Sequence, residues 1–294
     1  MYIIIGANGY LGSYFIKNIL EHTQHDILAV DLNPGASDNP RVRWEKCDIT
    51  SEAAVLELNE RYFRPNRDNH VVYLAAYHHP DLVEKNPRIA WNVNVTALAR
   101  FLNATENVTR FVYPSTDSVY GNSVNGHYFQ EGDPLNPVNR YGLHKCVAER
   151  LVTAYGYHVV RFPFLIAPSL LPDRKHFYDQ IAETIQGGKT FDMFSDSYRS
   201  SLSFNDAARL TLQLMELPSE QVPQIVNVCG DEALSKYDVG LMIARKLGVS
   251  EDLIRPISVS DQTGIFEAKR AESTLMDNSL LKKTLGLSEV HLEL

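Results

Sequence analysis

Met1-Tyr-Ile-Ile-Ile-Gly-Ala-Asn-Gly-Tyr-Leu-Gly12 opens the chain, and the reading of this stretch decides the fold. Tyr2 to Ile5 is a short, β-branched apolar run, as suits a strand buried on both faces. Because it starts at the second residue, no secretory leader is expected. Gly6, Gly9 and Gly12 space the turn into an amphipathic stretch, Tyr10 to Glu21, with Leu11, Phe15, Ile16, Ile19 and Leu20 on one helical face. Strand, glycine turn and helix follow in that order. Without side chains in the way, a diphosphate can rest on the free N–H groups and positive end of the helix.

Ile27 to Val30 reads as a second buried strand, and Asp31 closes it roughly 20 residues beyond the glycines. A carboxylate there can accept from a ribose 2′-hydroxyl and repels a 2′-phosphate, so the implied cofactor is NAD. The competing reading of Asp31 is a solvated turn residue ahead of Asn33-Pro34-Gly35.

Composition bounds the alternatives. The 294 residues suffice for one large α/β unit, or one with a small appended lobe. Hydrophobic content of 44% without a long apolar run fits a soluble globular protein and no membrane span. A formal net charge of -8 argues against nucleic acid or an acidic membrane as partner. Cys47, Cys146 and Cys229 lack metal-ligand spacing and sit in or beside apolar segments, which suggests a reduced cytoplasmic setting.

Arg43 to Cys47 reads as a third strand, followed by Asp48-Ile49 and a helix capped by Thr50 or Ser51. His70 to Ala76 is the fourth, its small residues Ala75 and Ala76 admitting a cofactor close to the backbone. Adjacent His78 and His79 point in different directions and bring no accompanying ligands, so no metal is expected. Pro87 opens a long helix to Asn107, and Arg110 to Tyr113 is a fifth strand. Pro114 to Gly121 then carries a cluster of hydroxyls and one carboxylate, costly to bury without purpose. Past a Gly, Pro and Asn-rich loop, Tyr141 and Lys145 lie four apart on a helix and share a face. A tyrosine can act as base near neutrality only if its pKa falls from about 10 toward 7, a shift worth roughly 4 kcal/mol. Lys145 and the positive nicotinamide are the expected sources of that shift, with Thr116 holding the reacting oxygen in place.

These residues resemble the extended short-chain dehydrogenases/reductases, in particular the NAD-dependent epimerase/dehydratase family acting on nucleotide sugars. Gly6 to Gly12, including Asn8, Tyr10 and Leu11, looks like its glycine fingerprint; Asp31 matches its ribose acid and Asp48-Ile49 its adenine contact. Leu74-Ala75-Ala76 is similar to its strand-four motif, and Asn92-Val-Asn-Val-Thr96 to its Asn-Val-x-Gly-Thr helix motif, with Asn92 at the asparagine and Val95 at the glycine. Ser115 to Gly121 resembles the segment carrying the catalytic threonine, here Thr116, and Tyr141 with Lys145 matches the Tyr-x-x-x-Lys pair. The resemblance implies a Rossmann-type doubly wound parallel α/β sheet with a smaller C-terminal substrate lobe. It places the dinucleotide unit at 1–167 with 203–230 returning to it, and the lobe at 168–202 and 231–294.

Departures from the family pattern refine the expected chemistry. Asp117 is present, but Ser118 stands where dehydratases carry a glutamate, so dehydration is disfavoured. Phe164 occupies the position of an asparagine on the substrate's phosphate side, as in several 4-keto-sugar reductases, and Arg199 is a candidate phosphate ligand. Asn205 is expected to cap the helix returning to the first unit, and Ser235 to Leu247 and Asn278 to Leu285 to be helices of the lobe. Asp31 disfavours NADPH, and a closed redox cycle on bound NAD then points to epimerisation, most simply at sugar carbon 4. The alternatives are a 4-keto-sugar-nucleotide reductase and a dinucleotide-binding sensor or scaffold without turnover. A homodimer is expected through 88–107 and 141–155, with Trp91, Phe101, Val147 and Leu151 as apolar anchors.

Overall fold

The computed structural model describes residues 1–259 and 266–294. Its strands are β1 (Tyr2–Ile5), β2 (Ile27–Asp31), β3 (Val42–Lys46), β4 (Asn69–Tyr73), β5 (Val108–Thr116), β6 (His158–Phe162), β7 (Phe191–Phe194), β8 (Tyr198–Arg199), β9 (Ile225–Asn227), β10 (Leu234–Ser235), β11 (Ile254–Ile257) and β12 (Ser273–Thr274). One sheet runs β3-β2-β1-β4-β5-β6-β9, all neighbours parallel. The chain order reverses between β1 and β4, and at such a switch point the carboxyl ends of the strands leave a crevice for a ligand.

The apolar run of β1 has a simple cause. Tyr2 and Ile4 pack with Phe15, Ile19 and Leu210 on one face of the sheet, while Ile3 and Ile5 pack with Phe63, Leu98 and Phe101 on the other. Each buried isoleucine there contributes about 1.5–3 kcal/mol. The first helix, Tyr10–His22, lies against the helix Phe204–Glu216 on the former face, and Arg140–Ala154 covers the latter.

Three local expectations are corrected. The stretch expected as one helix from Pro87 to Asn107 stops at Ala104 and contains a wider π-type turn over Asn92–Thr96, between Pro87–Trp91 and Ala97–Ala104. Within it, the buried amide of Asn94 brackets the backbone of Tyr77, accepting from the N–H at 2.7 Å and donating to the carbonyl at 3.0 Å. The cap of Phe204–Glu216 is Ser203 rather than Asn205: its hydroxyl accepts from the Asp206 N–H at 3.0 Å. Phe101 is fully buried against its own sheet and is unavailable as a dimer anchor.

A second buried cluster, including Ile166, Tyr178, Ile181, Met193, Ile243 and Ile254, joins the helices Phe177–Gln186 and Lys236–Leu247 to the parallel pair β7 and β11. Beside it β8 pairs with β10 and β12. The helix Ser279–Leu285 packs elsewhere: Leu281 is buried with Leu210, Leu214 and Val226 against the large sheet. Among the described residues no helix is long and apolar enough to cross a membrane.

Candidate active site

Gly6 ends β1 with φ +87°, and a Cβ there would meet the backbone of Ala75 at 2.7 Å, so only glycine lets the turn lie against the end of β4. The N-terminus of Tyr10–His22, opened by Gly9, faces the crevice at the switch point. A chamber of about 400 Å³ on one side is lined by Gly6, Asn8, Gly9, Asp31, Asp48, Ile49, Leu74, Ala75 and Ala76. A second, of about 350 Å³, is lined by Gly6, Gly9, Tyr10, Leu11, Gly12, Thr116, Tyr141 and Lys145. Together they make an elongated cleft folded around a helix N-terminus, a shape and charge that fit a dinucleotide with its diphosphate at the glycine turn. Asp31 also builds the turn. Its carboxylate accepts from Asn8 N and Asn33 N, each at 3.0 Å.

Tyr141 and Lys145 sit in the first turns of Arg140–Ala154, capped by Asn139, whose side chain accepts from Gly142 N at 2.9 Å. A Cβ on Gly142 would come within 2.5 Å of the Ser118 carbonyl oxygen, so the helix approaches the loop after β5 because glycine stands there. The same face continues to Glu149. Its carboxylate is buried with Arg161 of β6, at 2.7 and 3.0 Å, and accepts from Ser115 Oγ at 2.5 Å. Arg161 also donates to Tyr120 Oη at 2.7 Å. Breaking such a pair by removing one partner costs about 3–5 kcal/mol.

The electrostatics of the pair differ from the expected base. Burial, followed by the nearby Asp117 carboxylate, raises the Tyr141 phenol above its usual range. Burial brings the Lys145 amine down to about 7, against an opposing pull from Glu149. Lys145 Nζ donates to the Pro114 carbonyl oxygen. Thr116 Oγ1 donates to Asp117 Oδ1 at 3.0 Å and accepts from Ser118 N at 3.3 Å.

Four predicted site residues lie outside the lining of both chambers: Asn92, Asp117, Phe164 and Arg199. Asn92 belongs to the π-type turn, and it is Asn94 that reaches inward. Asp117 is buried behind Thr116, paired with Arg199 Nε at 3.3 Å and hydrogen-bonded by Thr274. The Arg199 guanidinium also donates to the carbonyls of Tyr198, Glu272 and Ala271 at 2.7–3.0 Å, which leaves it little freedom. Phe164 packs on Phe177 and lies 5.4 Å beneath Lys236 Nζ, which is also 5.5 and 5.8 Å from the rings of Phe177 and Phe194. Burial, then repulsion from Arg199 and Arg270, brings Lys236 down to about 8.

The family profile described as RmlD substrate binding domain matches residues 1–293. The chain belongs to that family. The sequence resemblance pointed to the epimerase/dehydratase group; the RmlD family is its relative within the extended dehydrogenases/reductases, and the closer assignment replaces the broader one. A probable low-salt glycan biosynthesis reductase, Agl14 of Haloferax volcanii, is 28% identical over 99% of this chain and 94% of its own. Methionine adenosyltransferase 2 subunit beta of Xenopus laevis is 27% identical over 87% of this chain and 75% of its own. Three solved structures share the fold. They are a hypothetical dTDP-4-dehydrorhamnose reductase from Sulfolobus tokodaii (TM-score 0.78, 23% identity, 99% and 97% of the two chains), a dTDP-4-dehydrorhamnose reductase from Bacillus anthracis in complex with NADP (0.80, 19%, 99% and 94%), and a UDP-glucuronic acid 4-epimerase from Bacillus cereus in complex with UDP-glucuronic acid and NAD (0.79, 20%, 98% and 94%).

Three cleft residues of this RmlD-family chain had no cleft role expected of them from sequence. His78 and His176 line the chamber beside Tyr141, and Arg174 lines both chambers. Burial lowers His78, with His79 and Lys145 adding to the effect, and it pushes His176 down to about 4. His78 followed a strand end and was readable only as a metal candidate. Among the described residues, no group of three or more His, Cys, Asp or Glu side chains is placed to hold a metal ion.

Proposed function

We propose that this chain reduces the keto group of a 4-keto nucleotide sugar with a nicotinamide dinucleotide. The observation that carries it is Tyr141, held as a neutral phenol by burial and Asp117, in one cleft with Thr116 and the glycine turn. When bound, the reduced nicotinamide supplies the hydride to the carbonyl carbon. Tyr141 gives its phenolic proton to the carbonyl oxygen as the alcohol forms, Thr116 Oγ1 hydrogen-bonds to that oxygen, and solvent returns the proton to Tyr141. Epimerisation begins with the opposite step, a phenolate taking a proton; burial and Asp117 act against it, and the positive charge of an oxidised nicotinamide would act for it. The names of the relatives support the reductase, which here takes precedence over the epimerase preferred from sequence. Asp31 serves the turn with one bond to each oxygen and keeps a free acceptor site on each, with the charge that opposes a 2′-phosphate, so NAD stays the expected dinucleotide and the test compares it with NADP.

The test is to follow reduced nicotinamide by absorbance with dTDP-4-dehydrorhamnose, using NADH and NADPH in turn. Stoichiometric oxidation with formation of the alcohol is expected. Interconversion of parent epimers without net oxidation would restore the epimerase. A second reading, a dinucleotide-binding protein without turnover that acts as a subunit, draws on the similarity to a protein named as a subunit, methionine adenosyltransferase 2 subunit beta. Tight dinucleotide binding with no turnover would select it. In either case 1–167 with 203–230 forms the dinucleotide unit, 168–202 with 231–294 the lobe apart from the helix Ser279–Leu285, which packs on the large sheet, and two copies pair through the helices over 80–104 and 140–154.

A further inference from the structure

Residues 168–176 lead into the helix Phe177–Gln186 as a strap laid over the start of the first helix. Tyr14 Oη donates to the Pro168 carbonyl and Tyr10 Oη to the Lys175 carbonyl, each at 2.7 Å. The far end is fixed by Asp179, which accepts from His176 N at 2.7 Å and from Ser169 N at 3.2 Å. The strap therefore holds Arg174 over the glycine turn. Arg174 Nη2 donates to the Asn8 side-chain oxygen at 2.9 Å and to the Asn8 carbonyl, and its guanidinium carbon lies 6.0 Å from the Tyr10 ring centre.

Arg174 is the one Lys or Arg, among the described residues, that lines both chambers of the cleft. Lys145 lines one, with its ammonium committed to the Pro114 carbonyl. Arg174 is exposed and has no carboxylate partner among the described residues, only two neutral amide oxygens. Neutral acceptors are weaker partners for a guanidinium than phosphate oxygens, which it grips bidentately. A diphosphate carries two negative charges, and a helix N-terminus offers only about half a positive one. Charge balance at this turn calls for a cation on the opposite wall, and Arg174 stands there.

We propose that Arg174 is the clamp for the dinucleotide's diphosphate: on binding, its guanidinium exchanges the Asn8 oxygens for phosphate oxygens and closes the strap against the helix N-terminus. The assignment rests on the dinucleotide reading above. It also distinguishes two roles for the residue, because a diphosphate ligand treats NAD and NADP alike whereas a 2′-phosphate ligand does not.

The experiment is equilibrium titration of the intact protein with NAD, NADP and ADP-ribose at low and high salt, comparing wild type, Arg174→Gln and Arg174→Lys. Arg174→Gln should raise Kd for all three ligands by a common factor of about ten or more, with a shallower salt dependence, and Arg174→Lys should fall between. Unchanged Kd values in Arg174→Gln, or a loss confined to NADP, would overturn the clamp alone. Failure of the wild type to bind any of the three would overturn the dinucleotide reading and the clamp with it.

Discussion

Lys145 donates from Nζ to the carbonyl oxygen of Pro114 at 2.7 Å, while the Tyr141 ring centre stands 5.9 Å from the same nitrogen. The lysine is thus tethered to β5 two residues before Thr116, and burial with Asp117 nearby keeps the Tyr141 phenol protonated. Tyr141→Phe should lower the single-turnover rate of ketone reduction at least about a hundredfold and leave dinucleotide affinity nearly unchanged. Rapid-mixing kinetics alongside a fluorescence titration separates the two effects. A variant retaining most of its rate would remove Tyr141 from the chemistry.

Asp31 joins two tasks, and its replacement should show both. In Asp31→Ser the turn loses the acceptor for Asn8 N and Asn33 N, so NAD binds more weakly, while loss of the negative charge shifts the NADP-to-NAD affinity ratio toward NADP. Isothermal titration with each cofactor gives the ratio. An unchanged ratio would show that the carboxylate does not face the ribose.

His176 packs edge-on against Tyr10 and Phe204 at 4.7 and 4.8 Å, and this burial pushes its imidazole down to about 4. Between about 6.5 and about 4 the unfolded chain therefore binds the proton and the folded chain does not. The contribution is whole above the unfolded value and is lost as pH falls through that window. His176→Phe keeps a ring and removes the titration, so its Tm should decline less steeply than wild type from pH 6.5 to 4. Parallel declines in a melting series would refute the assignment.

Leu82, Ile89, Trp91 and Leu143 are 44%, 57%, 43% and 50% exposed, on the neighbouring helices over 80–104 and 140–154. Such side chains suit the core of an interface between two copies. The wild type should run as a dimer in light scattering at micromolar concentration, and Ile89→Glu with Trp91→Glu should run as a monomer with its fold intact. A monomeric wild type would end the idea.

The large sheet was legible because burial on both faces writes itself as unbroken apolar runs, and glycine marks the turn that a side chain would block. Less legible was the helix after Pro87, since a buried asparagine bonding sideways leaves no trace in periodicity. Asn92 and Asn94 stand two apart on that segment, and only tertiary contacts reveal that Asn94 holds the Tyr77 backbone. The cap of Phe204–Glu216 was misplaced by two residues for a related reason: Ser203 and Asn205 are both able caps, and the path of the preceding chain chooses. Arg174 gave no signal at all. An arginine in a proline-bearing loop looks solvated until the strap is seen lying on Tyr10 and Tyr14.

Glu149 follows Tyr141 and Lys145 on one stripe of their helix, and its pairing with Arg161 is nearly sealed from water. A helix sliding or rolling by one residue would turn that stripe by about 100° and strand both charges in an apolar wall. The charge pair therefore acts as a key in its slot, setting the angle at which Tyr141 enters the cleft. Turning that helix would break the pair, so the orientation of Tyr141 and the packing of the core are expected to be lost together on heating.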